Sequence, residues 1–160
     1  MKLSNLFFKV LKEGTSVAAA QIRGNSSYPN LMGVVEFYQI PMRGVLVSAE
    51  ISGLPVGNRE EQRGFFAMHI HEIGDCTLPF DKVGPHYNPT DEPHPYHSGD
   101  LLPLLNNRGY AWSAFYDERF SVKDIIGRAV IIHVHRDDFT SQPSGDAGEM
   151  IGCGEIKRIR

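Results

Sequence analysis

Gly44-Val45-Leu46-Val47-Ser48-Ala49-Glu50-Ile51 decides the fold class of this chain. Val47, Ala49 and Ile51 alternate with Ser48 and Glu50, and successive side chains of an extended strand point to opposite faces. The stretch therefore reads as a half-buried β-strand. Residues 17–22 and 32–38 carry the same composition upstream, set apart by the turn clusters Gly24-Asn25-Ser26-Ser27 and Pro41-Met42-Arg43-Gly44. Downstream, residues 65–71, 109–116, 127–135 and 153–159 extend the pattern, and only 1–12 and 122–126 could form short helical turns. Seven or eight such strands predict an all-β fold: an antiparallel Greek-key β-sandwich, or a flattened eight-stranded barrel. Two long segments, 72–107 and 136–149, resist a strand reading; loops of that length inside a compact domain are usually functional or disordered, and the candidate ligands they hold favour function.

With 160 residues, 41% apolar and 22% charged, the chain fits one compact domain over 1–160. A net charge of −3 without a long basic run argues against nucleic acid as a partner. The closing Lys157-Arg158-Ile159-Arg160 reads as a solvated terminus. No stretch reaches the ~18 apolar residues that cross a bilayer, so no membrane partner is expected. The first residues resemble a signal peptide faintly, but Lys9 and Lys12 interrupt the apolar run. That points to the cytoplasm, or to an extracytoplasmic site if the chain is a processed form. Cys76 and Cys153 are compatible with a long-range disulfide or with two buried thiols.

Six of the seven histidines, with Asp100, fall in an order that suits the ligands of a two-metal site. His69 and His71 stand two apart on a predicted strand, so their side chains share a face and could hold one metal. His133 and His135 repeat that spacing on a second predicted strand. An isolated His-x-His is more often a polar strand face, but two pairs beside a histidine-rich loop favour ligation. His94, His97 and Asp100, spaced by three, can wrap one ion. Two imidazoles and a carboxylate suit zinc, and His86 is near enough to complete the set. Imidazole has two nitrogens, so His86 could also bridge two metals.

These motifs resemble the copper/zinc superoxide dismutases from Phe65 to Ile156, and the residues before them fit more loosely. The resemblance rests on His69-x-His71-Glu72-x-Gly74-Asp75-Cys76, Gly84-x-His86-Tyr87-Asn88-Pro89 and His97-x-Gly99-Asp100-Leu101. Further motifs are Ile126-Gly127-Arg128-x-x-x-x-His133, Asp137-Asp138, and Ala147-Gly148 ahead of Cys153-Gly154. It implies copper on His69, His71, His86 and His133, zinc on His86, His94, His97 and Asp100, and His86 as the bridge. Asp137 would be the carboxylate joining one ligand of each metal. Cys76 and Cys153 would form the family's disulfide. The implied reaction is disproportionation of superoxide to dioxygen and hydrogen peroxide, with His86 taking up and handing on a proton.

Three departures stand out. Met150 occupies the position where the family places a substrate-guiding arginine, Glu149 beside it is acidic, and Arg136 is a candidate substitute. Removing that cation predicts slower turnover that depends less on salt. The His94–His97 spacing and the 138–147 segment are both short, predicting a pared zinc loop and a more open copper channel. His135 is an additional histidine, read as an exposed strand residue with auxiliary ligation as the sharper alternative. Two other readings stay open beside the enzyme: a non-catalytic copper/zinc-binding protein, and a sandwich that uses zinc only to hold its fold. The family includes dimers and monomers, so a homodimer is allowed.

Overall fold

The computed structural model describes residues 2–41, 43–57 and 64–159. Met1 of the predicted helical turn, Met42 of the predicted turn cluster and Arg160 of the terminal basic run lie outside them. In chain order the elements are α1 (Leu3–Glu13), β1 (Ala18–Gly24), β2 (Met32–Gln39), β3 (Val45–Ser52), β4 (Phe65–Phe66) and β5 (Met68–His71). They continue with β6 (Leu104–Leu105), β7 (Tyr110–Asp117), α2 (Val122–Ile125), β8 (Ala129–His133) and β9 (Met150–Arg158). Seven strands form one antiparallel sheet in the order β5-β8-β9-β1-β2-β3-β7, and β4 pairs with β6 in a small second sheet.

This is the all-β, Greek-key sandwich expected from the alternation. The eight-strand count resolves into a curled seven-stranded sheet and a short pair across its open side. β4 leads directly into β5 at one edge, while β6 packs on β7 at the other. The single strand predicted over 65–71 is thus split, because Ala67 leaves the small sheet to bond across to the far end of β8: Ala67 N donates to His135 O, and His133 N to Ala67 O.

In β3 the alternation appears as designed by the sequence: Val45, Val47, Ala49 and Ile51 are fully buried, while Glu50 is exposed. β8 is different, with all five residues buried. Val130 and Ile132 enter the main core, whereas Ala129 and Ile131 lie under Phe80, Val83 and Cys153 on the opposite face. A loop covering the outside of the sheet therefore explains why this run is continuously apolar. Each isoleucine so buried contributes roughly 1.5–3 kcal/mol.

Two expectations change. Within the stretch read as a short helical turn, Leu3–Glu13 form a true helix of 11 residues: Phe7, Val10 and Leu11 of α1 cover Tyr38, Ile40 and Leu46, and Phe7 stacks on Tyr116 at 5.1 Å. The 127–135 strand stops at His133 with a register shift after Ile132. His135 is consequently off the strand and half-buried, with its ring against Gly148.

Candidate metal centre

The histidine loop is held against the edge of β5 as an irregular continuation of the sheet. Tyr87 N donates to Ile70 O and Ile70 N to Gly99 O, both at 2.8 Å. Bridges pair His71 with His86 and His69 with Asp100. Gly99 permits that approach, since a Cβ there would lie 2.3 Å from Ile70 O. The loop thereby lays His86, His94, His97 and Asp100 over the strand that presents His69 and His71, and β8 brings His133 from the next strand.

Two groups result. His69, His71, His86 and His133 form one; His86, His94, His97 and Asp100 form the other; within each, the potential ligand atoms lie within 4.8 Å of one another. His86 is common to both. All seven residues are buried, between 0% and 7% exposed. His135 belongs to neither group.

Hydrogen bonding fixes which nitrogen of each ring is available. A carbonyl or carboxylate only accepts, so the ring nitrogen facing it carries the proton and the other holds a lone pair. His71 Nδ1 donates to Gly84 O at 2.7 Å, and His133 Nδ1 to Gly148 O at 3.1 Å. His69 Nε2 and His94 Nε2 donate to the two oxygens of Asp137 at 2.7 and 2.8 Å. The opposite nitrogens, together with His86 Nε2, are buried without any hydrogen-bond partner: His69 Nδ1, His71 Nε2, His133 Nε2 and His94 Nδ1. Buried unpaired polar atoms are expensive, and here they converge. A metal ion is the partner that four neighbouring imidazole lone pairs fit.

On the other side, Asp100 draws the nitrogens together. His86 Nδ1 lies 2.7 Å from Asp100 Oδ1, and His94 Nδ1 and His97 Nδ1 lie 3.0 and 3.2 Å from Oδ2. His94 Nδ1 is that close without hydrogen-bond geometry, as expected of donors aimed at a shared centre. Three imidazoles and one carboxylate are a donor set for four-coordinate zinc.

Burial pushes His69, His71 and His133 below the ordinary imidazole range, His71 to about 3, and neighbouring imidazoles push the same way. Burial raises the Asp100 carboxyl, but His86, His94 and His97 outweigh it and hold it at about 2. The fold thus keeps these rings neutral and this carboxylate charged, the states that bind metal. A pH prediction follows for the metal-free protein. A histidine whose folded pKa is depressed contributes stability that is fully present above the unfolded value of 6.5 and is lost as pH falls toward 3. His71 thereby removes up to about 1.4 kcal/mol per pH unit within that window, and His69 and His133 act in the same direction. Thermal unfolding in chelator should therefore show a steep loss of Tm between pH 7 and 5. A flat profile would contradict the buried neutral state.

Beside the four-histidine group lies a cavity of about 560 Å³, lined by His71, His86, His133, Pro143, Ser144 and Met150 among others. No lysine or arginine lines it among the described residues. Met150 stands opposite His133 across β8 and β9, so the position read as the missing arginine is at the cavity. Arg136 is exposed and does not line it. Glu72 does, but its carboxylate pairs with Arg128.

Several supporting residues escaped the sequence reading. Arg119 Nη1 donates to His97 O at 2.9 Å and Nη2 to Asp100 O at 2.6 Å, while Asp117 anchors the guanidinium. Gln142 bonds the backbone of His94. Both act through peptide groups distant in sequence, and no local pattern marks them. Cys76 and Cys153 form a disulfide, the first of the two alternatives left open by their number.

A β-sandwich with two groups of potential metal ligands sharing one buried imidazole defines the class of protein. Comparison with known families agrees: the model of the copper/zinc superoxide dismutases (SODC) matches residues 31–156, reaching back into the strands before Phe65. The chain belongs to the copper/zinc superoxide dismutase family. It is 33% identical to an extracellular superoxide dismutase [Cu-Zn] of Rattus norvegicus over 135 residues, covering 78% of this chain and 54% of that protein. It is 33% identical to superoxide dismutase [Cu-Zn] 3 of Arabidopsis thaliana over 159 residues, 89% of this chain and 91% of that one. A copper chaperone for superoxide dismutase of Homo sapiens is 32% identical over 154 residues, 88% of this chain and 53% of that one. The chain thus spans about half the length of the extracellular relative. Copper and zinc are the cofactors of the family, and the four-imidazole and three-imidazole-plus-carboxylate groups resemble its copper and zinc sites.

Proposed function

We propose that this protein is a superoxide dismutase, an oxidoreductase folded as one domain over 1–160. His69, His71, His86 and His133 would hold copper, and His86, His94, His97 and Asp100 zinc. The observation that carries the reading is the set of buried, partnerless imidazole nitrogens converging beside a cavity. Bound copper would supply a one-electron couple able to oxidise one superoxide and reduce the next.

The chain's own residues do the rest. Gly84 and Gly148 carbonyls hold the tautomers of His71 and His133, and Asp137 those of His69 and His94. Among these rings only His86 offers a nitrogen to each group, so its Nε2 is the atom suited to hold and release the proton that peroxide formation needs. Packing around the deeper rings keeps them out of bulk water. Among the described residues no lysine or arginine at the cavity draws in the anion, so in this reading encounter depends on diffusion without steering. Residues of α1 pack on the sheet, and a cytoplasmic location is part of this proposal. A homodimer remains part of this proposal.

The test is superoxide decay after pulse radiolysis, with equimolar copper and zinc, over a salt series. Copper-dependent decay above the copper-free control, with a shallow salt slope, is expected. Decay equal to the copper-free control, with copper bound, would sink the enzymatic reading. Met150→Arg should raise the second-order rate about tenfold at low salt and steepen its salt dependence; an unchanged rate and slope would show that position 150 does not guide substrate.

A second reading has its own support. A cavity without lysine or arginine among the described residues, and the similarity to copper chaperones for superoxide dismutase, favour a copper-binding protein without turnover. High-affinity copper uptake with no catalysed decay is its signature.

A further inference from the structure

The short loop between Asp138 and Ala147 is attached to the histidine loop by one side chain. Gln142 lays its amide along the backbone of His94: Oε1 accepts from the His94 N–H at 3.0 Å, and Nε2 donates to the His94 carbonyl at 2.7 Å. Both polar groups of that residue's main chain are taken up by a single planar amide. Three residues further on, Gly145 lies directly over the His94 ring. A Cβ there would stand 2.0 Å from Asp137 Oδ1 and 2.7 Å from His94 Nε2, and its φ of +69° independently favours glycine. His94 is therefore gripped at both ends, its peptide by Gln142 and its ring by Asp137 beneath Gly145.

The loop has its own internal frame. Asp138 Oδ1 accepts from Thr140 N and Ser141 N at 2.8 Å each, and Gly145 N donates to Ser141 O at 2.7 Å. Gln142 touches that frame only through a long 3.5 Å bond from Nε2 to Thr140 O, and its shorter bonds reach another loop 48 residues away in sequence. Pro143 and Ser144, between the two grips, line the cavity beside His71, His86 and His133.

We propose that Gln142 is a positioning residue for His94, acting through the His94 peptide to aim Nδ1 at the zinc-side group while holding Pro143 and Ser144 at the cavity wall. The proposal rests on reading His94 as a zinc ligand. The direction of an imidazole lone pair follows the direction of its Cα–Cβ bond, and Gln142 fixes the backbone that sets it. Contacts one shell out from a metal typically change its affinity by about 10–100-fold.

Cobalt(II) titration of the full chain tests this, because its visible bands report tetrahedral geometry as well as affinity. Gln142→Ala is expected to weaken binding by about 10–100-fold and to alter the band shape, while circular dichroism of the metal-free protein matches wild type. Wild-type affinity and bands in Gln142→Ala would overturn the proposal. So would an equal weakening in Thr140→Ala, which leaves the His94 backbone bonds in place. Should Gln142→Ala fail to fold, Gln142→Glu decides. It keeps an acceptor for the His94 N–H but has no donor for the carbonyl, and wild-type binding by it would again overturn the proposal. If wild type itself shows no tetrahedral cobalt bands, the metal-site reading and this proposal fall together; if wild type binds and Gln142→Ala binds equally, only the proposal falls.

Discussion

Asp137→Asn is expected to lower affinity at the four-histidine group by about 10–100-fold and to disturb the zinc-side group much less. The asymmetry comes from the three bonds that the carboxylate accepts. Oδ1 takes Phe139 N–H and His94 Nε2–H, both at 2.8 Å, while Oδ2 takes His69 Nε2–H at 2.7 Å. Asparagine has one oxygen, and it serves best where two donors already point. Its amino group then faces His69 Nε2–H, donor against donor, in a fully buried position. His69 can relieve the conflict by moving its proton to Nδ1, but that consumes the lone pair facing His71, His86 and His133. Competition against chelators of known affinity, run separately for copper and zinc, checks this. Equal losses for both metals, or none, would refute the proposed bond assignment.

Removing the disulfide should have the largest effect on the fold itself. Cys76 and Cys153 are 77 residues apart, and a loop of that size restricts the unfolded chain by roughly 4 kcal/mol in the chain-entropy model. For a domain of this length that corresponds to a fall in Tm of roughly 10 °C. The double substitution Cys76→Ser with Cys153→Ser, measured without metal on both sides, isolates this contribution. A fall of less than about 3 °C would show that the cross-link adds little. The consequence reaches the site as well. The bridge pins the segment that covers Ile131 with Phe80 and Val83 and that ends in the Gly84 carbonyl holding His71 Nδ1. Loosening it should therefore weaken copper more than zinc.

Much of this was legible in the residues. Val47, Ala49 and Ile51 against Ser48 and Glu50 announced a strand with one face inward, because alternation is a property of the extended backbone and needs no neighbour. The seven proposed metal ligands could be named because ligand chemistry is written in residue type, and the His69–His71 spacing already implied a shared face. The 127–135 run misled at its end for a physical reason. The register shift after Ile132 turns the chain away, so His135 lost the spacing that made it look like a partner of His133.

What the sequence determined by itself, then, was the long strands, the candidate metal-binding side chains and the family they resemble, all of which depend on local pattern or residue chemistry. The two-residue strand Leu104–Leu105, inside the 72–107 segment, escaped it. Tertiary structure decided which nitrogen of each imidazole is left free, since that depends on the carbonyls of Gly84 and Gly148 and on Asp137 arriving from elsewhere in the chain. It likewise decided that Arg119 and Gln142 hold the backbones of His97, Asp100 and His94, that Met150 meets the cavity, and that Arg136 does not. Contacts made across the sheet and between loops leave no periodicity behind, so only the folded chain reveals them.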